Sequence, residues 1–340
     1  MSIDLPAEPI QALIEREYGL RLREPLADMQ QGVHSHVWLA TTNDGQWVAK
    51  ASNPASDSEA KLQAQCVLYR FLNEHGMNAP IVRADRRGRS VIQVEHAGQR
   101  YPFTLMRYHD LSRLHSISVT QAELQQIAGT IAQMHQLLEQ FPGASDIIAD
   151  HTTSENGWGK QTVGVYDELV AAPTSVCFTQ DERAWLKSVD ADVGAYIDAQ
   201  FPAPGSVTQA ILHGDLSFDH VWLLPDGQVY LFDFGDLCWG PVAHELGQFV
   251  RSFRDTPITF ERWAELRHWL TEGYSAHRSL TAADSEAIDL FILNRIVAQA
   301  SYILELSGDE VSPGGATVIK RTYALAASML SGRHDARAGT

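Results

Sequence analysis

The sequence predicts an α+β protein in two lobes, an antiparallel sheet with one helix first and a mostly helical lobe after it. Three observations carry that expectation. β-forming runs and hairpin signals crowd residues 20–108. Apolar residues at helical spacing dominate from about residue 120 to 331. The chain has 340 residues, 44% of them hydrophobic and 20% charged, which is enough apolar material for two cores. A short segment near Met106–His109 is expected to join the lobes. The N-terminal lobe then spans residues 1–107 and the C-terminal lobe 108–340, with a ligand site expected in the cleft between them.

Residues 8–18 read as a short amphipathic helix ended by Gly19, a residue suited to the left-handed position after a helix. Strand-like runs follow at 37–41 and 46–50, separated by Asn43-Asp44-Gly45, a strong hairpin signal. A helix is expected at about 57–75, with Ser56 and Glu59 as a capping box and Gly76 just past its end. Two more strands are expected at 90–97 and 100–108.

The helical part starts with the capping pair Thr120 and Glu123. Leu124, Ile127, Ile131, Met134 and Leu138 then recur every three or four residues. Residues 142–160 read as a loop. Helices are expected again at about 163–171, 179–200, 258–276, 282–307 and 314–331, and the last eight residues are expected to fray.

Net charge is -16 and is unevenly placed. Residues 1–110 carry 13 acids and 12 bases, whereas residues 111–340 carry 29 acids and 14 bases. A field of that sign repels nucleic acid and favours cations, although an acidic surface also serves solubility alone. No apolar run approaches the ~20 residues of a membrane span. The opening MSIDLPAEPIQ lacks the pattern of a secretory signal. Cys66, Cys177 and Cys238 are odd in number and scattered, so neither a disulfide framework nor a zinc site is expected, and a cytoplasmic location is.

The chemistry concentrates in residues 211–236, ILHGDLSFDHVWLLPDGQVYLFDFGD. Two Asp-centred loops, His213-Gly214-Asp215 and Asp233-Phe234-Gly235-Asp236, flank a hairpin that turns at Pro225-Asp226-Gly227. Asp215 follows a strand-like run, where a carboxylate is held rigidly enough to orient a hydroxyl and take its proton. Asp233 ends a second strand and is a hard oxygen donor suited to Mg²⁺. One Asp after an apolar strand is usually a turn or cap. The pair of loops at this spacing is far more specific.

That composite resembles the catalytic and metal loops of the aminoglycoside phosphotransferase and choline kinase family, small-molecule kinases with a protein-kinase-like fold. Gly240-Pro241 followed by Glu245-Leu246 is similar to the family's segment after the metal loop, where Asp is usual at the Glu245 position. Residues 131–135, Ile-Ala-Gln-Met-His, resemble its helix before the catalytic loop. The resemblance covers nearly the whole chain. It implies ATP-dependent phosphoryl transfer with Mg²⁺, or Mn²⁺, as the ion.

The resemblance also implies roles for other residues. Lys50, in Trp47-Val48-Ala49-Lys50, takes the place of the phosphate-binding lysine. Gly32 and Ser35 belong to the loop expected to cover the phosphates. Met106 and Tyr108 lie in the segment expected to meet the adenine. The family's helix glutamate, which pairs with the lysine, falls at Gln65. Either Gln65 hydrogen-bonds Lys50, or Glu59 reaches it from the first turn, or Glu59 only caps the helix.

His220 stands where the family usually has a metal-ligating Asn, and macrolide kinases resemble this chain there. Imidazole is a poorer ligand for Mg²⁺ than an amide oxygen. His220 therefore either binds metal directly, with Mn²⁺ favoured, or acts through water, or leaves Asp219 to substitute, or packs beneath the loop with no metal role.

The expected acceptor is a hydroxyl of a small, cationic, amine-bearing molecule: an aminoglycoside, an amino alcohol or an amino acid. The alternatives are a bacterial Ser/Thr protein kinase of the same superfamily and a non-catalytic nucleotide binder. A metallohydrolase built on His213, Asp215, Asp219 and His220 lacks further ligands at defined spacing.

Overall fold

A computed structural model describes residues 5–29, 35–150, 178–203, 205–307 and 311–338. The chain forms two compact units, Met1–Ser112 with Trp222–Gly235, and Arg113–Val221 with Asp236–Thr340. Residues 222–235, far along the chain, thus belong with the first unit.

The first unit is built on a five-stranded antiparallel sheet. Its strands are β1 (Ala27–Asp28), β2 (Ser35–Thr42), β3 (Gly45–Ser52), β4 (Ile92–His96) and β5 (Gln99–Arg107). Their order is β1-β2-β3-β5-β4. The β2–β3 hairpin turns at Asn43-Asp44 and resumes at Gly45, whose φ of 102° belongs to glycine. Between β4 and β5, Ala97 and Gly98 both take positive φ, as a tight hairpin turn requires.

Alternation along the strands decides which residues face where. On β2 and β3, Trp38, Ala40, Trp47, Ala49 and Ala51 are buried. They pack with Ile10, Leu13 and Ile14 of the N-terminal helix α1 (Ala7–Leu13) and of the π-helical turn Ile14–Tyr18 that continues it. Gly19, at φ 68°, ends this element as expected. The two-residue period then puts Ser35, Val37, Val48 and Lys50 on the opposite face. Lys50 pairs in register with Thr104 of β5, and Val48 with Met106.

Helix α2 (Glu59–Glu74) follows β3. Its N-cap is Ser58, whose hydroxyl accepts from the Lys61 N–H at 3.2 Å. The expected Ser56–Glu59 capping box is not formed, because the Ser56 hydroxyl donates instead to the Asn53 carbonyl in the preceding turn. The first unit is completed by residues 222–235, which hold most of the hairpin Val221–Leu223 and Val229–Leu231. Asn78 holds this hairpin through its side chain to the Val229 carbonyl and through its own carbonyl to the Leu231 N–H.

In the second unit, helix α3 (Gln121–Leu138) begins at a full Thr120–Glu123 capping box, and its five periodic apolar residues are completely buried. A second capping box, Thr179–Glu182, starts the helix Gln180–Gln200. Helices Phe260–Ser275 and Ala282–Ser307 lie where the periodicity puts them. Three expectations need correction. The stretch 142–160, read as loop, contains a helix at Ala144–Asp150; its remainder and the expected helix 163–171 lie outside the described residues. The last helix runs Pro313–Ala338, past the expected end, through Arg and Ala residues that favour helix. A helix not anticipated at all, Val242–Ser252, has every residue buried, so its polar residues, Glu245 and Gln248 among them, face protein and not solvent.

Cys66 and Cys238 are buried free thiols, while Cys177 lies outside the described residues. No helix among the described residues is long and apolar enough to cross a membrane.

Candidate active site

A cavity of about 370 Å³ opens in the first unit. Ser35, Lys50, Gln65, Met106, Tyr108 and Asp233 all line it. The sheet alternation supplies Ser35, Lys50 and Met106 from one face. Helix α2 supplies Leu62, Gln65, Cys66 and Tyr69, at the i, i+3, i+4, i+7 spacing of a single stripe. Val37, Val48 and Val82 form apolar walls, and the downstream hairpin adds Trp222, Tyr230 and Phe232. Burial pushes the Cys66 thiol up to about 11, so it is a neutral wall rather than a nucleophile.

Lys50 Nζ lies 3.7 Å from Asp233 Oδ1. Asp233 sits at φ 67°, a left-handed conformation that Asp tolerates better than most side chains. The next residue, Phe234, is buried with its ring 6.0 Å from Tyr69, edge to face, which anchors the loop to α2. Gly235 follows, and a Cβ there would stand 3.2 Å from Gln65 Nε2, a tight contact that glycine avoids. Gln65 therefore sits against the metal loop, and the charged partner of Lys50 is Asp233. Glu59 points elsewhere. It is exposed and accepts a 2.8 Å hydrogen bond from Gln93 Nε2 on β4. Gly32 lies outside the described residues.

The catalytic loop is held in the second unit. Strand Gln209–Leu212 pairs antiparallel with Cys238–Pro241, Leu212 opposite Cys238, so the loops extending from both strands run side by side. Gly214 takes φ 87°, and a Cβ there would stand 1.7 Å from the Asp236 carbonyl oxygen. Only glycine allows that approach.

Pro241 then starts the helix Val242–Ser252, and two of its residues, one turn apart, serve the loop. Glu245, 1% exposed, accepts from the His213 N–H at 2.9 Å, from the Gly214 N–H at 3.0 Å and from His135 Nε2 at 2.9 Å. His135 in turn hydrogen-bonds the Tyr274 hydroxyl. Burial alone would raise the Glu245 pKa, but the hydrogen bond from His135 and the charges and N–H groups around it outweigh burial and hold it below the usual range. One turn on, Gln248 donates to Asp215 Oδ1 at 2.8 Å. Asp215 Oδ2 accepts no hydrogen bond among the described residues, and the side chain is 42% exposed. A carboxylate fixed at one oxygen and open at the other is well disposed to receive a proton.

Residues 27–281 match the phosphotransferase enzyme family. The chain belongs to that family. No curated protein matches it in sequence. Its fold is similar to that of a spectinomycin phosphotransferase solved with ADP and spectinomycin, at 12% identity, TM-score 0.69, covering 96% of this chain and 99% of that one. It is also similar to a microcompartment-associated aminopropanol kinase (16%, TM-score 0.66, 95% of each chain). A macrolide 2'-phosphotransferase type I is a third such structure (17%, TM-score 0.56, 95% and 98%). The fold is the kinase-like one of these small-molecule phosphotransferases, and by its family this chain is a phosphotransferase.

In this phosphotransferase His220 is part of the catalytic loop's own bracing. Its Nδ1–H donates to the Asp215 backbone carbonyl, and its ring stacks at 5.7 Å on His213. A metal would have to be met by Nε2. Asp219 does not turn inward, since it is exposed and pairs with Arg113. Among the described residues, no group of three or more His, Cys, Asp and Glu side chains is placed to hold a metal ion. Sequence reasoning missed Gln248, which holds the Asp215 carboxylate, and took Glu245 only as a departure from the family pattern. The signal for both was the i, i+3 spacing of two polar residues just after Gly-Pro.

Proposed function

We propose that this chain transfers the γ-phosphate of ATP to a hydroxyl of a small molecule, with Asp215 as base. The observation that carries the reading is the apolar pocket containing the Lys50–Asp233 pair. Val37, Val48, Trp222 and Phe232 suit a purine, Met106 and Tyr108 its edge, and the Lys50 ammonium the phosphates. ADP in the spectinomycin phosphotransferase supports an adenine nucleotide. Asp215 Oδ2 takes the acceptor's proton as its oxygen bonds to the γ-phosphorus and the bond to ADP breaks.

The residues fit Mg²⁺ at Asp233, a hard carboxylate with nearly half its surface open. Such an ion would supply positive charge that neutralises the charge developing on the transferred phosphoryl group. His220 fits Mg²⁺ less well, with one ring nitrogen on the Asp215 carbonyl and a softer donor than an amide oxygen. Mn²⁺ is therefore expected to substitute well. A cytoplasmic location fits the two free thiols.

The test is Asp215→Asn. ATP with Mg²⁺ or Mn²⁺ should stabilise wild type and variant alike in a thermal shift, while transfer falls about 10²–10⁴-fold. Transfer that survives the substitution would remove Asp215 from its role. A protein that ATP does not stabilise would overturn the nucleotide site. Stabilisation without turnover on any hydroxyl compound would point to a non-catalytic nucleotide binder.

A further inference from the structure

We propose that the phosphate acceptor carries a carboxylate near its hydroxyl, and that Arg295 receives that carboxylate beside Asp215. The inference rests on Asp215 being the base of the transfer proposed above.

Arg295 comes from the helix Ala282–Ser307, and its Nη2 lies 3.7 Å from Asp215 Oδ1. That distance is an ion contact and not a hydrogen bond. Oδ1 is in any case occupied by Gln248. On the same edge of the guanidinium, Nε is buried and has no hydrogen-bond partner among the described residues. Nε and Nη2 together make the side-on fork that grips a carboxylate through two parallel bonds. Here one tine is unpaired and the other only loosely engaged. A buried donor without a partner is a standing penalty, which a ligand carboxylate would relieve. Arg295 retains 27% side-chain exposure and Asp215 42%, so neither is sealed from a ligand.

A second guanidinium stands close. Arg251 lies three residues beyond Gln248 on its helix and donates to Gln299 Oε1 at 2.6 Å. Its charge is felt at Arg295. Burial first, and then the like charge of Arg251, hold the Arg295 pKa below the ordinary arginine range, while Asp215 and Asp236 pull the other way. The base therefore has two guanidinium groups and the Asp236 carboxylate around it, within the part of the chain whose overall balance is acidic.

The overall charge favours a cationic acceptor, but the charges at the base decide what lies next to the hydroxyl. A lone ammonium there would leave the buried Arg295 Nε–H without an acceptor. A carboxylate a few bonds from the hydroxyl would be drawn in, and an ammonium farther along the molecule would still suit the acidic remainder. Hydroxy amino acids carry both groups, and hydroxy acids carry the carboxylate alone. Simple amino alcohols lack the carboxylate.

Three pairs of compounds differ by the carboxylate alone: serine and ethanolamine, threonine and 1-amino-2-propanol, homoserine and 3-amino-1-propanol. ADP release from ATP with each, and the phosphorylated product by phosphorus NMR, give the comparison. At least one acid should exceed its decarboxylated partner tenfold or more in kcat/KM. Arg295→Gln should raise KM for that acid at least tenfold with KM for ATP unchanged, and Arg295→Lys should recover part of the loss. Preference for the decarboxylated members overturns the proposal, as does an Arg295→Gln variant that lowers kcat equally for both members of a pair. If that variant does not fold, the wild-type ratio decides. Transfer to none of the six by a protein that ATP still stabilises overturns the carboxylate class but not the kinase reading. Failure of ATP to stabilise the protein overturns both.

Discussion

The pocket of the sheet unit and the catalytic loop of the helical unit are made of opposite materials. The pocket is walled by valines and aromatic rings around one ion pair, and both partners of that pair reach solvent, Lys50 at 21% and Asp233 at 45%. The loop is fixed by a carboxylate with almost no exposure that spends its oxygens on two backbone N–H groups and a buried histidine. An exposed pair at 3.7 Å is worth little in stability and is easily traded for phosphates and an ion. A buried and fully bonded carboxylate cannot be traded without large loss. The difference teaches which part of the molecule exchanges ligands and which part must already be in position when they arrive.

The largest test of that contrast is at Glu245. Glu245→Ala leaves the His213 and Gly214 N–H groups and His135 buried without their partner, and should cost about 3–5 kcal/mol in a urea unfolding experiment. The effect should depend on pH in one direction. The folded pKa of Glu245 is lowered, so its contribution is fully present above the unfolded carboxylate value of about 4.3 and is lost as pH falls toward the folded value. The gap in stability between wild type and Glu245→Gln should therefore narrow as pH drops below about 4. A gap that does not change with pH would show that Glu245 acts by shape alone.

Lys50→Met probes the other side of the comparison, and its effect should be on binding and not on folding. Unfolding should change by no more than about 1 kcal/mol, because the pair it breaks is partly exposed. Stabilisation by ATP should weaken about tenfold to a hundredfold in affinity, the worth of a hydrogen bond to a charged group. A large loss of stability in the absence of nucleotide would mean that the Lys50–Asp233 pair is structural, and the contrast would collapse.

How much of this the sequence reveals follows from the same contrast. The pocket residues Ser35, Lys50, Gln65, Met106 and Tyr108 are ones the family resemblance implies, and strand alternation with a helical stripe is the physical reason they share one surface. The hairpin carrying Asp233 is plain from Pro225-Asp226-Gly227 and its flanking β-formers. The brace of the catalytic loop is not periodic. Glu245, Gln248 and Arg295 meet His213, Gly214 and Asp215 from two helices, one of which is buried all round, so its polar stripe marks no solvent face. Which polar side chain reaches which backbone group is settled by tertiary packing, and spacing along the chain does not encode it. Ser58 in place of Ser56 as the helix cap is a smaller case, decided by a hydroxyl that found a nearer carbonyl.

The smallest expected effect separates the two candidate supports of Lys50. Glu59 is exposed and bonded to Gln93 across to β4, and the pocket is lined without it. Glu59→Gln should therefore leave both ATP affinity and stability within about 0.5 kcal/mol of wild type. Gln65 is buried in the pocket wall, against Gly235. Gln65→Glu puts a carboxylate there at nearly constant volume, in the same pocket as Lys50 and Asp233. If the pocket is organised by the single Lys50–Asp233 pair, the new carboxylate competes for Lys50 and frees Asp233. The dependence of ATP stabilisation on Mg²⁺ concentration should then shift to lower metal, because Asp233 is no longer held by the ammonium. A titration unchanged by Gln65→Glu but altered by Glu59→Gln would place the lysine's support at the first turn of α2, and would make the ion pair in the pocket a secondary contact.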